Sequence, residues 1–218
     1  MKNSYSLGLL ISIVAFFLGC KESSVNAPKK IACIGTSITE SYGQPSDKAY
    51  PAVLQTLENP SGNKVLNYGV GGCTVLKKGD SPYWLAQKYQ YAIDWKPTIV
   101  IIEFGTNDSK KQNWAYKGDF KNDYLALIKS FQNLSSSPEI YLCVPPPAFS
   151  KNFDIDSTVV KNEIVPLIRT LAKENNLKMI DLYTLLLDKS NLFIDGIHPT
   201  QEGNVLIANE VFKVLSEN

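Results

Sequence analysis

Residues 29–39 read KKIACIGTSIT, an apolar run followed at once by small and hydroxyl-bearing residues. The run Ile31–Ile34 is short, contains β-branched side chains and is bounded by turn residues, which predicts a buried β-strand. Four comparable runs follow along the chain: Val65–Asn67, Ile99–Phe104, Ile140–Val144 and Lys178–Ile180. The sequence therefore predicts five buried strands.

Longer amphipathic segments separate these runs and predict helices. They are Tyr50–Leu57, Tyr83–Asp94, Phe120–Leu134, Val159–Asn175 and Gln201–Leu215. Pro166 interrupts the fourth segment, where we expect it to kink the helix or to end its first half. Strands that alternate with helices predict an α/β fold, here a three-layer sandwich around a five-stranded parallel, flavodoxin-like sheet.

The composition narrows the class of protein. Of the 218 residues, 44% are hydrophobic, which is enough for one sizeable core. The net charge is +1, and the sequence contains no basic stripe of the kind that nucleic-acid-binding proteins have. One histidine and dispersed cysteines provide no spacing typical of a zinc site. Cys33, Cys73 and Cys143 are scattered and odd in number, so they predict no disulfide framework. We expect no nucleic-acid partner and no metal.

The N-terminus has the features of an export signal. Lys2 precedes Leu7–Leu18, an uncharged apolar run of about twelve residues. A membrane-spanning helix needs roughly twenty, so this run fits a secretory signal better. It ends in Leu18-Gly19-Cys20, which resembles the lipobox of bacterial lipoproteins.

That resemblance implies three parts of the chain. Residues 1–19 would be a signal peptide, residues 20–28 a tether with lipid on Cys20, and residues 29–218 a domain in water at the periplasmic or cell-surface face of a bacterial membrane. The alternative is an ordinary signal peptide with an incidental cysteine. The oligomeric state is left open by the sequence.

Loops beyond the carboxyl ends of parallel strands are where such sheets bind ligands. Ser37 follows the first predicted strand, at the entry to a helix or turn, where N–H groups favour a developing oxyanion. An ordinary helix N-cap serine is the alternative interpretation. Asp195-Gly196-Ile197-His198-Pro199 offers a carboxylate three residues before the chain's only histidine, and an incidental surface turn is the alternative there.

Two further loops offer hydrogen-bond donors. Residues 67–74, NYGVGGCT, are rich in glycine, which lets backbone N–H groups approach a ligand closely. Asn107 follows the third predicted strand in Gly105-Thr106-Asn107-Asp108, where its amide can donate to the same oxyanion or form an Asx turn.

Together these residues resemble the sequence blocks of the SGNH hydrolase superfamily, the GDSL esterases. Serine, glycine, asparagine and D-x-x-H occur in the family's order across residues 29–215. The resemblance implies Ser37 as nucleophile, Asp195 and His198 as the rest of a triad, and an oxyanion hole formed by the Ser37 N–H, the Gly72 N–H and the Asn107 side chain. Residue 36 is threonine where the family most often has aspartate, a position that the family does not use as its acid.

The implied chemistry is two-step acyl transfer from an ester, without cofactor or metal. Residues 79–84 and 105–114 resemble a subgroup of bacterial carbohydrate esterases that includes sialate O-acetylesterases, so the expected substrate is an acetylated glycan. Aromatic residues near the blocks, among them Tyr42, Trp84 and Trp114, suit sugar faces or simple loop packing. A lysophospholipase or thioesterase of the same superfamily is the first alternative, and a non-catalytic glycan-binding lipoprotein is the second.

Overall fold

The computed structural model describes Met1 and residues 27–217. Residues 2–19 of the predicted signal segment and Cys20 therefore lie outside the described residues. Within the described part, no helix has the length and apolarity that crossing a membrane requires.

Five parallel strands form one sheet in the order β2-β1-β3-β4-β5. The strands are β1 (Lys30–Gly35), β2 (Lys64–Gly69), β3 (Ile99–Glu103), β4 (Glu139–Val144) and β5 (Lys178–Asp181). This order is the flavodoxin-like one, so the predicted sheet is confirmed. Because β1 lies between β2 and β3, the chain reverses its direction of travel across the sheet at the carboxyl end of β1, where ligands bind in such folds.

Helices connect the strands and cover both faces of the sheet. They are α1 (Ser37–Glu40), α2 (Tyr50–Glu58), α3 (Gln87–Asp94), α4 (Lys111–Trp114), α5 (Lys117–Gln132), α6 (Ser157–Val159), α7 (Val165–Glu174), α8 (Leu182–Leu186) and α9 (Gln201–Ser216). The predicted helix at Tyr83–Asp94 begins later, at Gln87, because Tyr83–Leu85 forms a separate 3₁₀ turn.

Alternation along each strand divides the core into two layers. In β1, Ala32 and Ile34 face the layer formed with α3, α5 and α7, whereas Ile31 and Cys33 face the layer formed with α2, α8 and α9. A strand buried on both faces is apolar at successive positions, which explains its continuous apolar run. The three-layer sandwich expected from the sequence is therefore present.

Pro166 breaks its helix only locally. The five residues Val160–Ile164 form a wide π-helical turn between α6 and α7, and Pro166 lies in the first turn of α7. A proline provides no N–H for the helical ladder, and a π turn is a known way for a helix to absorb such an interruption.

Candidate active site

Ser37, His198 and Asp195 form a hydrogen-bonded array at the carboxyl edge of the sheet. His198 Nε2 lies 2.9 Å from Ser37 Oγ, and His198 Nδ1 lies 2.7 Å from Asp195 Oδ2. Ser37 and His198 are buried, with 8% and 4% of their surfaces exposed. In this order, an imidazole can accept the serine proton while the carboxylate holds the ring and its tautomer.

Ser37 is the first residue of α1, directly after β1. The N-cap position is taken by Thr36, whose side-chain oxygen accepts a 3.3 Å hydrogen bond from the Ile38 N–H. The Ser37 hydroxyl is therefore not needed to cap the helix and is directed to His198 instead.

The Asp195–His198 segment is held by its own backbone. Asp195 Oδ1 accepts hydrogen bonds from the N–H groups of Ile197 (2.9 Å) and His198 (2.8 Å), which leaves Oδ2 for the imidazole. Gly196 has a φ of +82°, and a Cβ there would lie 2.7 Å from the Cβ of Ser150. Glycine is therefore required at this turn for both conformation and space.

The charge of Asp195 is stabilised in this turn. Burial disfavours the carboxylate, but the hydrogen bonds from the His198 ring and from the two backbone N–H groups outweigh it and lower the pKa of Asp195 below its ordinary value. The side chain is thus ionised and oriented against the histidine.

A cavity of about 230 Å³ opens beside Ser37 and His198, and Gly72 and Asn107 line it. Gly72 has a φ of +77°, and a Cβ built there meets no atom within 4 Å. The open space on that side leaves room for a ligand against the glycine backbone. The Asn107 amide donates one hydrogen bond, 3.1 Å long, to the Cys73 carbonyl, which ties the two donor loops together and leaves its second hydrogen uncommitted by that bond.

Two carboxylates outside the array position the glycine loop. Glu40 Oε2 accepts a 2.8 Å hydrogen bond from the Gly71 N–H, and Asp108 accepts bonds from the N–H groups of Val75 (3.3 Å) and Leu76 (2.9 Å). Burial raises the pKa of Asp108 to about 7, although these backbone bonds oppose the shift. The sequence alone does not predict these roles of Glu40 and Asp108, because each contact joins residues about thirty positions apart.

Aromatic rings cover one side of the histidine. The Tyr42 ring lies 4.4 Å from the His198 ring between centroids, and Phe153 lies 5.1 Å from it, edge to face. Both rings line the cavity and remain about half exposed. Tyr42 was anticipated as a substrate contact from the sequence, whereas Phe153 was not.

Trp84 and Trp114 lie away from this cavity. The Trp84 indole N–H donates to the Val75 carbonyl at 2.9 Å, and its ring packs against Tyr89. Trp114 packs against Phe120 and lines a different cavity. Neither tryptophan lines the cavity beside Ser37.

The cysteines of the described part are buried and free. Cys73 lies near the site, but burial raises the pKa of its thiol, and its sulfur lies 3.7 Å from the Ser81 hydroxyl. A thiol that is harder to ionise is a poor nucleophile, so Ser37 is the better candidate.

The fold and the site together define a class: α/β proteins with a serine, histidine and aspartate array at the switch point of a parallel sheet. The chain belongs to the GDSL-like lipase/acylhydrolase family, whose family model matches residues 33–206. The resemblance drawn from the sequence blocks is thereby confirmed.

Known relatives support this placement. The chain is 37% identical over 210 residues to an acetylxylan esterase of Xylanibacter ruminicola, in a match that covers 85% of this chain and 44% of that protein. The chain thus spans less than half the length of that relative. A carbohydrate acetylesterase from Sinorhizobium meliloti has the same fold, with a TM-score of 0.73 at 16% identity, over 87% of this chain and 99% of that one. A lipase/acylhydrolase from Enterococcus faecalis gives a TM-score of 0.71 at 23% identity, over 87% and 96%.

Proposed function

We propose that this protein is a serine esterase that removes O-acyl groups, foremost acetyl groups, from carbohydrates. The observation that carries the proposal is the hydrogen-bonded array of Ser37, His198 and Asp195, which opens onto a small cavity. The carbohydrate part is supported by the 37% identity to an acetylxylan esterase.

In the first step, His198 Nε2 takes the proton of the Ser37 hydroxyl as Ser37 Oγ bonds to the ester carbonyl carbon. The carbon–oxygen bond to the sugar then breaks, and the sugar oxygen leaves with the proton from His198. In the second step, water attacks the acyl-enzyme with His198 again as base, and acetate and free Ser37 result. Asp195 stays ionised and stabilises the imidazolium in both steps.

The oxyanion of each tetrahedral intermediate would be bound by the N–H groups of Ser37 and Gly72 and by the Asn107 amide. Their placement around one cavity supports this role. Removal of one such donor typically raises the barrier by about 3–4 kcal/mol.

The size of the cavity favours a short acyl group. Its volume of about 230 Å³ lies below the roughly 300–1,000 Å³ of pockets that bury drug-sized ligands. An acetyl ester fits this space better than a long fatty-acyl chain does. We extend the proposal to sialate O-acetyl groups only as one candidate within the carbohydrate class.

Acetate release from a panel of substrates tests the proposal. The panel contains acetylated xylan, acetylated pectin, O-acetylated sialic acid and p-nitrophenyl acetate, with a lysophospholipid and a long-chain acyl thioester as comparison substrates. We expect acetate from at least one glycan and little release of long acyl chains. Preferential hydrolysis of the lysophospholipid or thioester would overturn the carbohydrate assignment.

We also propose that the protein is exported and held at a bacterial membrane through lipid on Cys20. The support is the sequence alone: an apolar run of about twelve residues that ends in Leu18-Gly19-Cys20. Such an anchor would keep the esterase domain in water beside extracellular or periplasmic glycans.

A further inference from the structure

Three cavities adjoin one another, and each successive pair shares at least one lining residue. Ile155 lines both the cavity beside Ser37 and a second cavity of about 320 Å³. Lys111 and Asp156 line this second cavity and also a third one of about 320 Å³, which contains Trp114. The cavities therefore follow one another along the surface from the Ser37 hydroxyl to Trp114.

Two consecutive residues with left-handed backbone separate the first cavity from the second. Phe153 has a φ of +59° and Asp154 a φ of +61°, although neither is glycine. Phe153 lines the first cavity and Asp154 the second. Aspartate adopts this conformation readily, but a bulky residue such as Phe153 holds it only where surrounding contacts enforce it, and such strain concentrates at ligand sites.

Contacts at both ends of this segment supply that enforcement. On one side, Ser150 Oγ (2.8 Å) and Asn152 Nδ2 (2.7 Å) donate to the Asp195 carbonyl. On the other side, the Asp156 N–H donates to Ser109 Oγ at 3.1 Å. Hydrogen bonds thus fix the segment at both ends, to the Asp195–His198 turn on one side and to the turn that contains Asn107 on the other.

The charges along the second cavity cancel, and the lysines that line only the two other cavities are paired: Lys110 lies 3.7 Å from Asp80, and Lys117 lies 2.9 Å from Glu163. Lys111 and Lys151 stand against Asp154 and Asp156, all with exposed side chains. Such a lining offers donors and acceptors to hydroxyl groups without the net positive charge that an anionic sugar would call for. Half-exposed aromatic faces such as that of Phe153 suit the apolar side of a pyranose ring.

We infer that the three cavities form one groove that binds an extended, neutral polysaccharide. The esterified sugar lies at Ser37, the next unit lies over Phe153 and Asp154, and further units lie toward Trp114. This inference rests on the proposed function and adds to it that the substrate is a chain rather than a single sugar.

Substrate length provides the first test. Acetylated xylo-oligosaccharides of one to five units are compared by acetate release from the full chain, with p-nitrophenyl acetate as a substrate that does not reach beyond the first cavity. We expect kcat/KM to rise at least 5-fold from one unit to three or more, mainly through a lower KM. Equal kcat/KM at all lengths, or a preference for O-acetylated sialic acid over the neutral oligosaccharides, would overturn the inference.

A double variant, Lys111→Ala with Asp154→Gly, provides the second test. Glycine preserves the positive φ at position 154 while it removes the carboxylate. We expect the ratio of kcat/KM on the pentasaccharide to that on p-nitrophenyl acetate to fall at least 5-fold. The matched control, Lys129→Ala with Asp188→Ala, removes one exposed charge of each sign outside the groove and should keep the wild-type ratio.

Failure of the groove proposal and failure of the proposed carbohydrate esterase function give different results in these tests. A wild-type ratio in the Lys111→Ala/Asp154→Gly variant, with glycans still deacetylated, refutes the groove and leaves the esterase intact. Hydrolysis of p-nitrophenyl acetate with no acetate from any glycan refutes the carbohydrate function and the groove together.

Discussion

Thr36 Oγ1 donates a 2.9 Å hydrogen bond to Glu103 Oε2, and both side chains are completely buried beneath the nucleophile. Glu103 is the last residue of β3, beside Gly35 of β1, and it also accepts weaker bonds of 3.4 Å from the Thr36 N–H and from Thr39 Oγ1. The residue that departs from the family's usual aspartate is therefore paired with a carboxyl group from the neighbouring strand. This contact fixes the turn that carries Ser37.

Glu103→Gln should change how stability depends on pH. Burial raises the pKa of Glu103 to about 7 in the folded chain, despite the opposing bonds from Thr36 and Thr39, against an ordinary value of 4.5. The stability from this group is therefore complete below about pH 4.5 and is lost as the pH rises through about 7, an effect of about 3 kcal/mol. Because glutamine does not ionise, the variant should gain on the wild type by about that amount between pH 5 and pH 8. Denaturant unfolding of both proteins across that range measures it, and a constant difference would contradict the assignment.

Asp195→Asn should lower kcat on p-nitrophenyl acetate by on the order of 10³-fold with little change in KM. The amide no longer stabilises the imidazolium and permits the wrong tautomer of His198. Steady-state kinetics with Asp188→Asn, an exposed aspartate outside the site, as the control measures the effect. A loss of less than about 5-fold would mean that Asp195 only shapes the turn.

Glu40→Ala should reduce kcat about 10-fold with KM nearly unchanged, because the Gly71 N–H loses its acceptor and the adjacent Gly72 donor is less well placed. Glu40→Gln keeps an acceptor oxygen and should stay within about 2-fold of the wild type. The two variants are compared under one set of steady-state conditions. Equal losses in both would assign the effect to the charge of Glu40 and its contact with Lys88, and not to the position of the loop.

Cys20→Ala should abolish lipidation if the export signal is of the lipoprotein type. Cells that express the full chain are grown with labelled palmitate, and the protein is tested for label and for recovery in the membrane fraction. We expect label in the wild type and none in the variant. Retention of label by Cys20→Ala would exclude that cysteine as the acceptor.

The fold was accessible from the sequence because each strand is buried on both faces. A continuous apolar run such as Ile99–Phe104 is the direct consequence of that burial, and parallel strands separated by helices leave few arrangements. The Asp195-Gly196-Ile197-His198 segment was equally accessible, since its contacts are local and its glycine is dictated by the turn.

Contacts between distant segments were not accessible. The apolar run Ile99–Phe104 predicts a strand that contains Glu103 but no partner for its carboxyl group. That partner, Thr36, lies 67 residues away in the sequence. Phe153 carries no glycine signal for its positive φ, because the hydrogen bonds of Ser150 and Asn152 to Asp195 enforce that conformation from outside. The aromatic character of Trp84 and Trp114 suggests sugar contacts, but their rings pack against Tyr89 and Phe120.

The central claim is that Ser37 is the nucleophile, and Ser37→Ala tests it most directly. The rate of p-nitrophenyl acetate hydrolysis is measured for wild type and variant after circular dichroism and thermal unfolding have shown the same fold. We predict a loss of at least about 10³-fold, because the acyl-enzyme can no longer form. Hydrolysis by Ser37→Ala within about 10-fold of the wild-type rate would contradict the account.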